Sequence, residues 1–428
     1  MKKRLRVLTL GCSKNSVDTE HLLAQLPADA FVIVGDEDDV DIQLINTCGF
    51  IGDAKEESIN AILQAVELKA EGRIGELVVF GCLSQRYMSE LKEEIPEVDA
   101  WFGARDLSPV LEYLGVKAAP FITRRLTEDK GYAYIKISEG CDRRCSYCAI
   151  PFIRGAHKSV PMEDVLAEAR SLAAEGVKEL ILIAQDTTYY GLDLYGRRAL
   201  AELIERLSEI PQIEWIRIHY SYPASFPEDV LDQMADNPKV CKYLDIPLQH
   251  IADGVLDRMH RHVNGAWTRE LIAKLRERVP GVALRTTMIV GHPGEGEEEF
   301  EELLAFIREA RFERMGAFTY SEEEGTYGAA HLEDDVPQDE KQRRYDLLMN
   351  EQREISLACN ESRVGAELKV MVDEIVGDTL VCRSEYESPE VDGEIIVKGG
   401  AGNVQVGDFI KVRILSAEFY DLLAERII

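Results

Sequence analysis

The first 120 residues alternate short unbroken apolar runs with stretches of helical periodicity. The runs are RVLTL, FVIV, DIQLIN and ELVVF, and between them VDTEHLLAQL and DAKEESINAILQAVELKA repeat their apolar positions three and four apart. Continuous apolar runs mark strands buried on both faces, and the intervening helices are the crossovers of a parallel sheet. After a mixed-charge connector, FITRRLTEDKGY at 121–132, the alternation resumes through YIKIS, ELILIA, WIRIHY, YLDIP, ALRTTMIV and MGAFTY. At least six strand-helix units in this order predict a whole or partial TIM-like barrel. QDEKQRRYDLLMNEQREISLACNESRVG then reads as one helix ending near Gly365. The remainder, LKVMVDEI, TLVCRSEY, GEIIVKG and DFIKVRILSAEFYDLLAERI, is strand after strand with Gly and Asp turns, which predicts a small antiparallel β-barrel of OB-like size. The fold class is α/β, with expected domains at 1–125, 130–360 and 362–428.

Composition agrees with several cores: 428 residues exceed what one hydrophobic core serves, and 46% hydrophobic residues supply each of them. The apolar stretch of MKKRLRVLTLGCSKN is too short for a signal segment or a membrane span, so a cytoplasmic protein is expected. A net charge of -29, from 49 basic and 78 acidic residues, argues against a protein whose main task is gripping nucleic acid backbone. Such acidity suits a basic partner, or simply keeps the chain soluble.

Cysteine changes the picture most. Nine are present, and in a reducing compartment clustered cysteines are metal or redox ligands more often than disulfides. Six form two groups of three: a compact one, Cys141, Cys145 and Cys148 in EGCDRRCSYC, and a dispersed one, Cys12, Cys48 and Cys82, each directly after an apolar run in TLGC, INTC and VFGC. Strand ends in an open α/β sheet line a common crevice, so the dispersed three are expected to meet there. Three thiolates are one short of a closed zinc site or the usual four of an iron-sulfur cluster, which predicts an iron with an open position, twice. The compact group follows the first barrel strand. Its zinc alternative would need His157, beyond Pro151 and Gly155; the dispersed group's alternative is plain core packing. Cys241, Cys359 and Cys382 fit neither spacing and are expected to be structural.

The CxxxCxxC loop after a strand, with Tyr147 just before its third cysteine, resembles the signature of the radical S-adenosylmethionine superfamily. That resemblance implies a 4Fe-4S cluster whose open iron chelates S-adenosylmethionine, and a 5'-deoxyadenosyl radical formed on reduction. Gln185 and Asp186 of ILIAQDTTYYG stand where the superfamily contacts the cofactor's amino group, or they cap the following helix. Gly291 in TTMIVGHPGE resembles the glycine that admits the adenine, though Gly291 and Gly294 also read as turn residues. With GCSKN, NTCGF and GCLSQ in the first domain and a β-barrel at the end, the whole chain resembles the methylthiotransferases. Membership implies a second 4Fe-4S cluster on Cys12, Cys48 and Cys82 that carries the sulfur, one S-adenosylmethionine to methylate that sulfur, a second to generate the radical, and an external electron donor and sulfur source.

Two branches compete within the family: enzymes of tRNA adenosine derivatives, and enzymes of an aspartate β-carbon in ribosomal protein S-twelve. TLGCSKNSVDTEHL, IRIHYSYP and YLDIPLQHIADGVLDRM resemble the ribosomal-protein branch, and Ser13, Lys14 and Asn15 stand where the tRNA branch has Gln-Met-Asn. Residues 363–428 resemble a TRAM domain, an RNA-binding module, yet hold 7 Lys or Arg against 13 Asp or Glu. A phosphate-binding barrel is basic. The acid of RSEYESPEVDGE is therefore expected at an exposed edge, suited to a Lys/Arg-rich ribosomal protein or merely solvated. A passive electron-transfer or RNA-binding protein is the reading from another class.

Overall fold

The computed structural model describes residues 2–35, 39–120, 122–128, 130–400 and 402–427. Phe121 and Asp129 of the expected connector lie outside the described residues, as do the terminal residues Met1 and Ile428. The chain forms two compact units, the first made of Met1–Thr127, Ser138–Arg143 and Cys148–Ser171, the second of the rest.

The first unit is built on β1 (Lys3–Thr9), β2 (Phe31–Ile33), β3 (Val40–Thr47), β4 (Ile74–Gly81) and β5 (Ala100–Trp101), in the order β2-β1-β3-β4-β5. All four pairings are parallel. Helices α1 (Ser13–Ala24), α2 (Gly52–Ala70), α3 (Cys82–Glu94) and α4 (Ser108–Tyr113) cover both faces. Hence the unbroken apolar runs: Leu44, Val78 and Phe80 pack into one core with Leu22 and Leu111, while their neighbours Ile45 and Val79 join the other with Ile62 and Leu91.

Beyond β6 (Tyr132–Lys136), which belongs to the second unit, the short ribbon β7 (Ser138–Glu139) and β8 (Lys158–Ser159) and helix α5 (Ile150–Arg154) return to the first. The sequence expectation kept all of 130–360 together. Residues 138–143 and 148–171 instead pack with the first sheet, and the small barrel clusters with the central sheet.

The second unit carries β6, β9 (Glu179–Ile183), β10 (Trp215–Ile218), β11 (Val240–Asp245), β12 (Ala283–Val290) and β13 (Arg314–Thr319) as six neighbouring parallel strands. The sheet is open, so of the whole or partial barrel expected, the partial one is present. One face is apolar, with Ile135, Leu182, Ile216, Leu244 and Leu284 fully buried. The other is polar yet buried: Glu179, Arg217 and Tyr243 are all 0% exposed. β14 (Glu367–Val376), β15 (Thr379–Ser384), β16 (Ile395–Lys398), β17 (Phe409–Ala417) and β18 (Leu422–Ile427) close into a barrel. Four of its pairings are antiparallel as expected, but β16 and β18 run parallel.

The acidic segment RSEYESPEVDGE turns only part of its charge outward: Glu390 and Glu394 are exposed, while Glu387 and Asp392 are engaged inward. Glu387 is 1% exposed and pairs with Arg314 at 3.0 Å and Arg363 at 2.5 Å. Asp392 accepts the Tyr243 hydroxyl at 2.7 Å and lies 3.6 Å from Arg285, and Glu390 accepts Lys130 and Tyr132. Arg383 pairs with Glu179, which also holds Arg217, and the Arg217 guanidinium donates to the Glu385 carbonyl. The reason is the polar sheet face, where buried guanidinium groups require partners. Those strand arginines lie far from the segment in sequence, so nothing local signals the pairing.

Candidate functional site

The three dispersed cysteines follow β1, β3 and β4, adjacent strands whose registers align Thr9 with Asn46 and Thr47 with Gly81. Cys12 is the N-cap of α1, and Cys82 opens α3. Cys48 is fixed by Ser58, which accepts its N–H at 3.0 Å and donates to its carbonyl at 2.9 Å. The approach is close. A side chain on Gly11, at φ +92°, would come within 2.9 Å of the Cys48 Sγ, and one on Gly49 within 2.6 Å of the Leu83 Cα. Only glycine fits beside each neighbouring cysteine. The strands that these cysteines follow are parallel neighbours, so their ends share one sheet edge.

Cys12 is exposed, whereas Cys48 and Cys82 are buried. Burial pushes the Cys48 thiol up, and pushes Cys82 up to about 11; the neighbouring thiols add to both shifts, and the charge of Arg154 opposes them. Three soft sulfur groups, two of them buried thiols whose ionisation is disfavoured, form a donor set suited to a cationic iron core, because metal binding displaces the protons. The residues present therefore fit an iron-sulfur group. Among the described residues, no three Cys, His, Asp or Glu side chains are already gathered as a metal site.

The compact group lies on the loop after β7, whose residues are divided between the two units. In the first unit the Cys141 N–H donates to the Gly155 carbonyl at 3.0 Å, and Ala149, next to Cys148, packs with Ile153, Ala104 and Cys82. His157 donates its N–H to Asp142 and meets the Ser159 hydroxyl through Nε2 at 3.0 Å, engagements that serve the loop. In the second unit Ser146 is bracketed by the Met259 carbonyl and the Gly328 N–H, and its hydroxyl meets His292 Nε2 at 3.3 Å. Arg261, 3% exposed, lies 3.5 Å from the Cys145 Sγ and 3.3 Å from the Tyr147 hydroxyl. Despite its burial this guanidinium is held more firmly charged than usual, by Tyr147 and Cys145. A permanent cation beside this sulfur would suit the charge of a cluster held there. Sequence reasoning missed Arg261; RMHRH carries no local signal for it.

The other candidates divide. Asp186 caps the short helix after β9, accepting the Thr188 N–H at 2.9 Å and its hydroxyl at 2.6 Å, and Gln185 is half-buried beside it. Tyr147 packs against the cluster of Ala252, Val255, Met259, Ile289 and Tyr320. Gly291 follows β12 at φ +71°, where a side chain would strike Lys341 at 2.3 Å, and its N–H donates to Glu295 at 2.9 Å. Gly294 meets Arg258 in the same way. Cys241 and Cys382 are core residues with thiols pushed up to about 12 by burial, and Cys359 is partly buried on the helix Gln338–Glu361.

Three family models match: the radical SAM superfamily over residues 135–307, an uncharacterized protein family, UPF0004, over 4–103, and the TRAM domain over 364–427. Among solved structures, the radical S-adenosylmethionine methyltransferase TsrM from Kitasatospora setae covers 89% of this chain and 81% of its own at a TM-score of 0.56 and 12% identity. The cobalamin-dependent S-adenosylmethionine radical enzyme OxsB covers 83% and 56% at 0.51 and 12% identity. At such identities these establish a shared fold. Sequence relatives are far nearer. Proteins named ribosomal protein uS12 methylthiotransferase RimO are 52% identical over 428 residues in Bacteroides fragilis and 51% over 427 in Phocaeicola vulgatus, covering 99% of both chains, and 50% over 426 in Christiangramia forsetii, covering 99% of this chain and 94% of that one. With half its residues shared along essentially its full length, and a radical SAM domain in place, the chain belongs to the radical S-adenosylmethionine methylthiotransferase family, in the branch of the ribosomal protein uS12 enzymes.

Proposed function

We propose that this protein is the methylthiotransferase that places a methylthio group on the β-carbon of an aspartate in ribosomal protein uS12. Full-length identity to the uS12 enzymes supports this substrate over tRNA. In this reading Cys141, Cys145 and Cys148 hold one 4Fe-4S cluster, and Cys12, Cys48 and Cys82 hold a second. When bound, the first with S-adenosylmethionine supplies a hydrogen-abstracting radical, and the second supplies sulfur. The chain's own residues do the rest. Arg261 balances charge at Cys145, and Tyr147, Gln185, Asp186 and Gly291 are the residues that would contact S-adenosylmethionine. An apolar wall of Ala252, Val255 and Ile289 keeps water from that side. Electrons and sulfur come from external donors. The observation that supports the two-cluster reading is that Cys12, Cys48 and Cys82 each follow one of three neighbouring parallel strands, with Ala149, the residue after Cys148, packed against Cys82.

Mass spectrometry of uS12 from cells lacking this enzyme tests the assignment. The expected result is loss of the methylthio mass from the aspartate. An unchanged mass, or loss of a methylthio nucleoside from tRNA instead, would refute it. Anaerobic formation of 5'-deoxyadenosine by the iron-loaded protein separates the enzyme from a passive electron-transfer or RNA-binding protein. A cytoplasmic site of action accords with a ribosomal substrate, and no described helix is long and apolar enough to cross a membrane.

A further inference from the structure

Arg154 ends α5, six residues beyond Cys148, yet its side chain lies within the dispersed group's surroundings rather than in solvent. Its side chain is 2% exposed. Nη1 donates to Asp18 at 2.7 Å, to Glu139 at 3.2 Å and to the Ala104 carbonyl at 3.4 Å, while Nη2 donates to Asn15 at 2.5 Å. Asn15 is itself fully buried and tied to the Leu10 and Thr47 carbonyls, the residues that lead into Cys12 and Cys48, and its Oδ1 lies 3.8 Å from the Cys82 Sγ. One guanidinium is thus bonded to α1, which Cys12 caps, to β7, two residues before Cys141, and through Asn15 to the approaches of the other cysteines. Arg105 clamps the same helix from outside, donating to the Phe152 and Ile153 carbonyls. All of these residues belong to the first unit.

The charges make a local balance. A buried guanidinium fork of this kind is held by its acceptors and in turn fixes them. Asp18 and Glu139 place two carboxylates on one guanidinium nitrogen, and Arg154 is the cation between them and the Asn15 side-chain carbonyl. Its charge acts on Cys48 and Cys82 alike.

We infer that Arg154 is a positioning residue for the dispersed cluster: it registers the peptide after Cys148 onto the three strand-end cysteines and supplies the positive charge that sets the reduction potential of the iron held there. This rests on the reading that Cys12, Cys48 and Cys82 hold a cluster. A cation near an anionic cluster favours the reduced, more negative state, and a carboxylate disfavours it.

The test uses the full chain with Cys141, Cys145 and Cys148 replaced by alanine, loaded anaerobically with iron and sulfide, so that the dispersed cysteines alone can hold a cluster. Iron and sulfide content and the midpoint potential are read for this parent and for Arg154→Gln, Arg154→Lys and Asp18→Asn. Arg154→Gln should weaken the reduction equilibrium about tenfold or more, a shift of about 59 mV to lower potential for one electron. Asp18→Asn should shift it the opposite way, and Arg154→Lys should stay within about threefold of the parent. Opposite signs are the signature of charge, which a scaffolding role does not produce. Should Arg154→Gln fail to fold, Arg154→Lys and Asp18→Asn still decide. Loaded variants with unmoved potentials, or shifts of the same sign, overturn the inference. A parent that takes up no iron overturns the dispersed-cluster reading on which it stands.

Discussion

Glu387→Gln separates the two meanings an acidic TRAM-like barrel can have. If the acid of 383–394 recognises a basic partner, the amide leaves the fold intact and weakens binding. In the structure Glu387 instead accepts from Arg314, Arg363, the Ser384 N–H and the Ser384 hydroxyl while 1% exposed. Burial alone would raise its carboxyl, but Arg363, Arg314 and Ser384 outweigh that and pull it from 4.5 down to about 2. A gap of that size corresponds to about 3 kcal/mol of folded-state stability at neutral pH. Removing one partner of a buried pair independently costs about 3 to 5 kcal/mol. Amide hydrogen exchange across β14–β18 at pH 7 reads this directly: about 3 kcal/mol less opening free energy speeds exchange roughly 100-fold in Glu387→Gln. The folded carboxyl lies below its unfolded value, so its contribution is complete above pH 4.5 and disappears as pH falls toward 2. The advantage of wild type over the variant should shrink across that window. Exchange within about threefold of wild type at pH 7, together with weakened binding of uS12, would refute the inward-facing role.

Cys48→Ala should spare 5'-deoxyadenosine formation and abolish methylthio transfer, checked by nucleoside chromatography and peptide mass on one reaction; intact transfer would remove Cys48 from the sulfur-carrying site. Arg261→Met should lower iron retention at the compact group or 5'-deoxyadenosine formation by about 10- to 100-fold, the usual cost of losing a partner behind a metal ligand. Gly291→Ala should destabilise the β12 turn by about 1 to 3 kcal/mol, because φ +71° and Lys341 both oppose a side chain; thermal unfolding with S-adenosylmethionine absent isolates this from cofactor loss. Burial pushes the His292 imidazole down to about 4, below the 6.5 of the unfolded chain. Its contribution is therefore complete above pH 6.5 and falls by about 3 kcal/mol on acidification toward pH 4, a slope in β12 exchange that His292→Gln should flatten.

The sequence made the strands and the cysteine geometry legible for one reason: both depend on local pattern. Unbroken runs such as QLIN and LVVF exist because helices cover both faces of the first sheet, and strand-end cysteines must then share an edge. All six central strands were readable in the same way. What stayed hidden depends on partners distant in sequence. Arg217 sits within an apolar run and looks like a surface residue, yet it is fully buried against Glu179. Arg154 and Arg261 owe their roles to Asp18 and Cys145, each more than a hundred positions away. The acid of 383–394 looks solvated for the same reason.

The buried guanidinium groups of the central sheet and the inward acid of the last barrel are two halves of one electrostatic lock, and this bears on how such enzymes can diversify. A tail exchanged alone between relatives would leave Arg217, Arg285 and Arg314 facing foreign chemistry. The barrel and the sheet beneath it therefore act as one electrostatic unit. Chimeras should recover stability when the strand arginines travel with the tail.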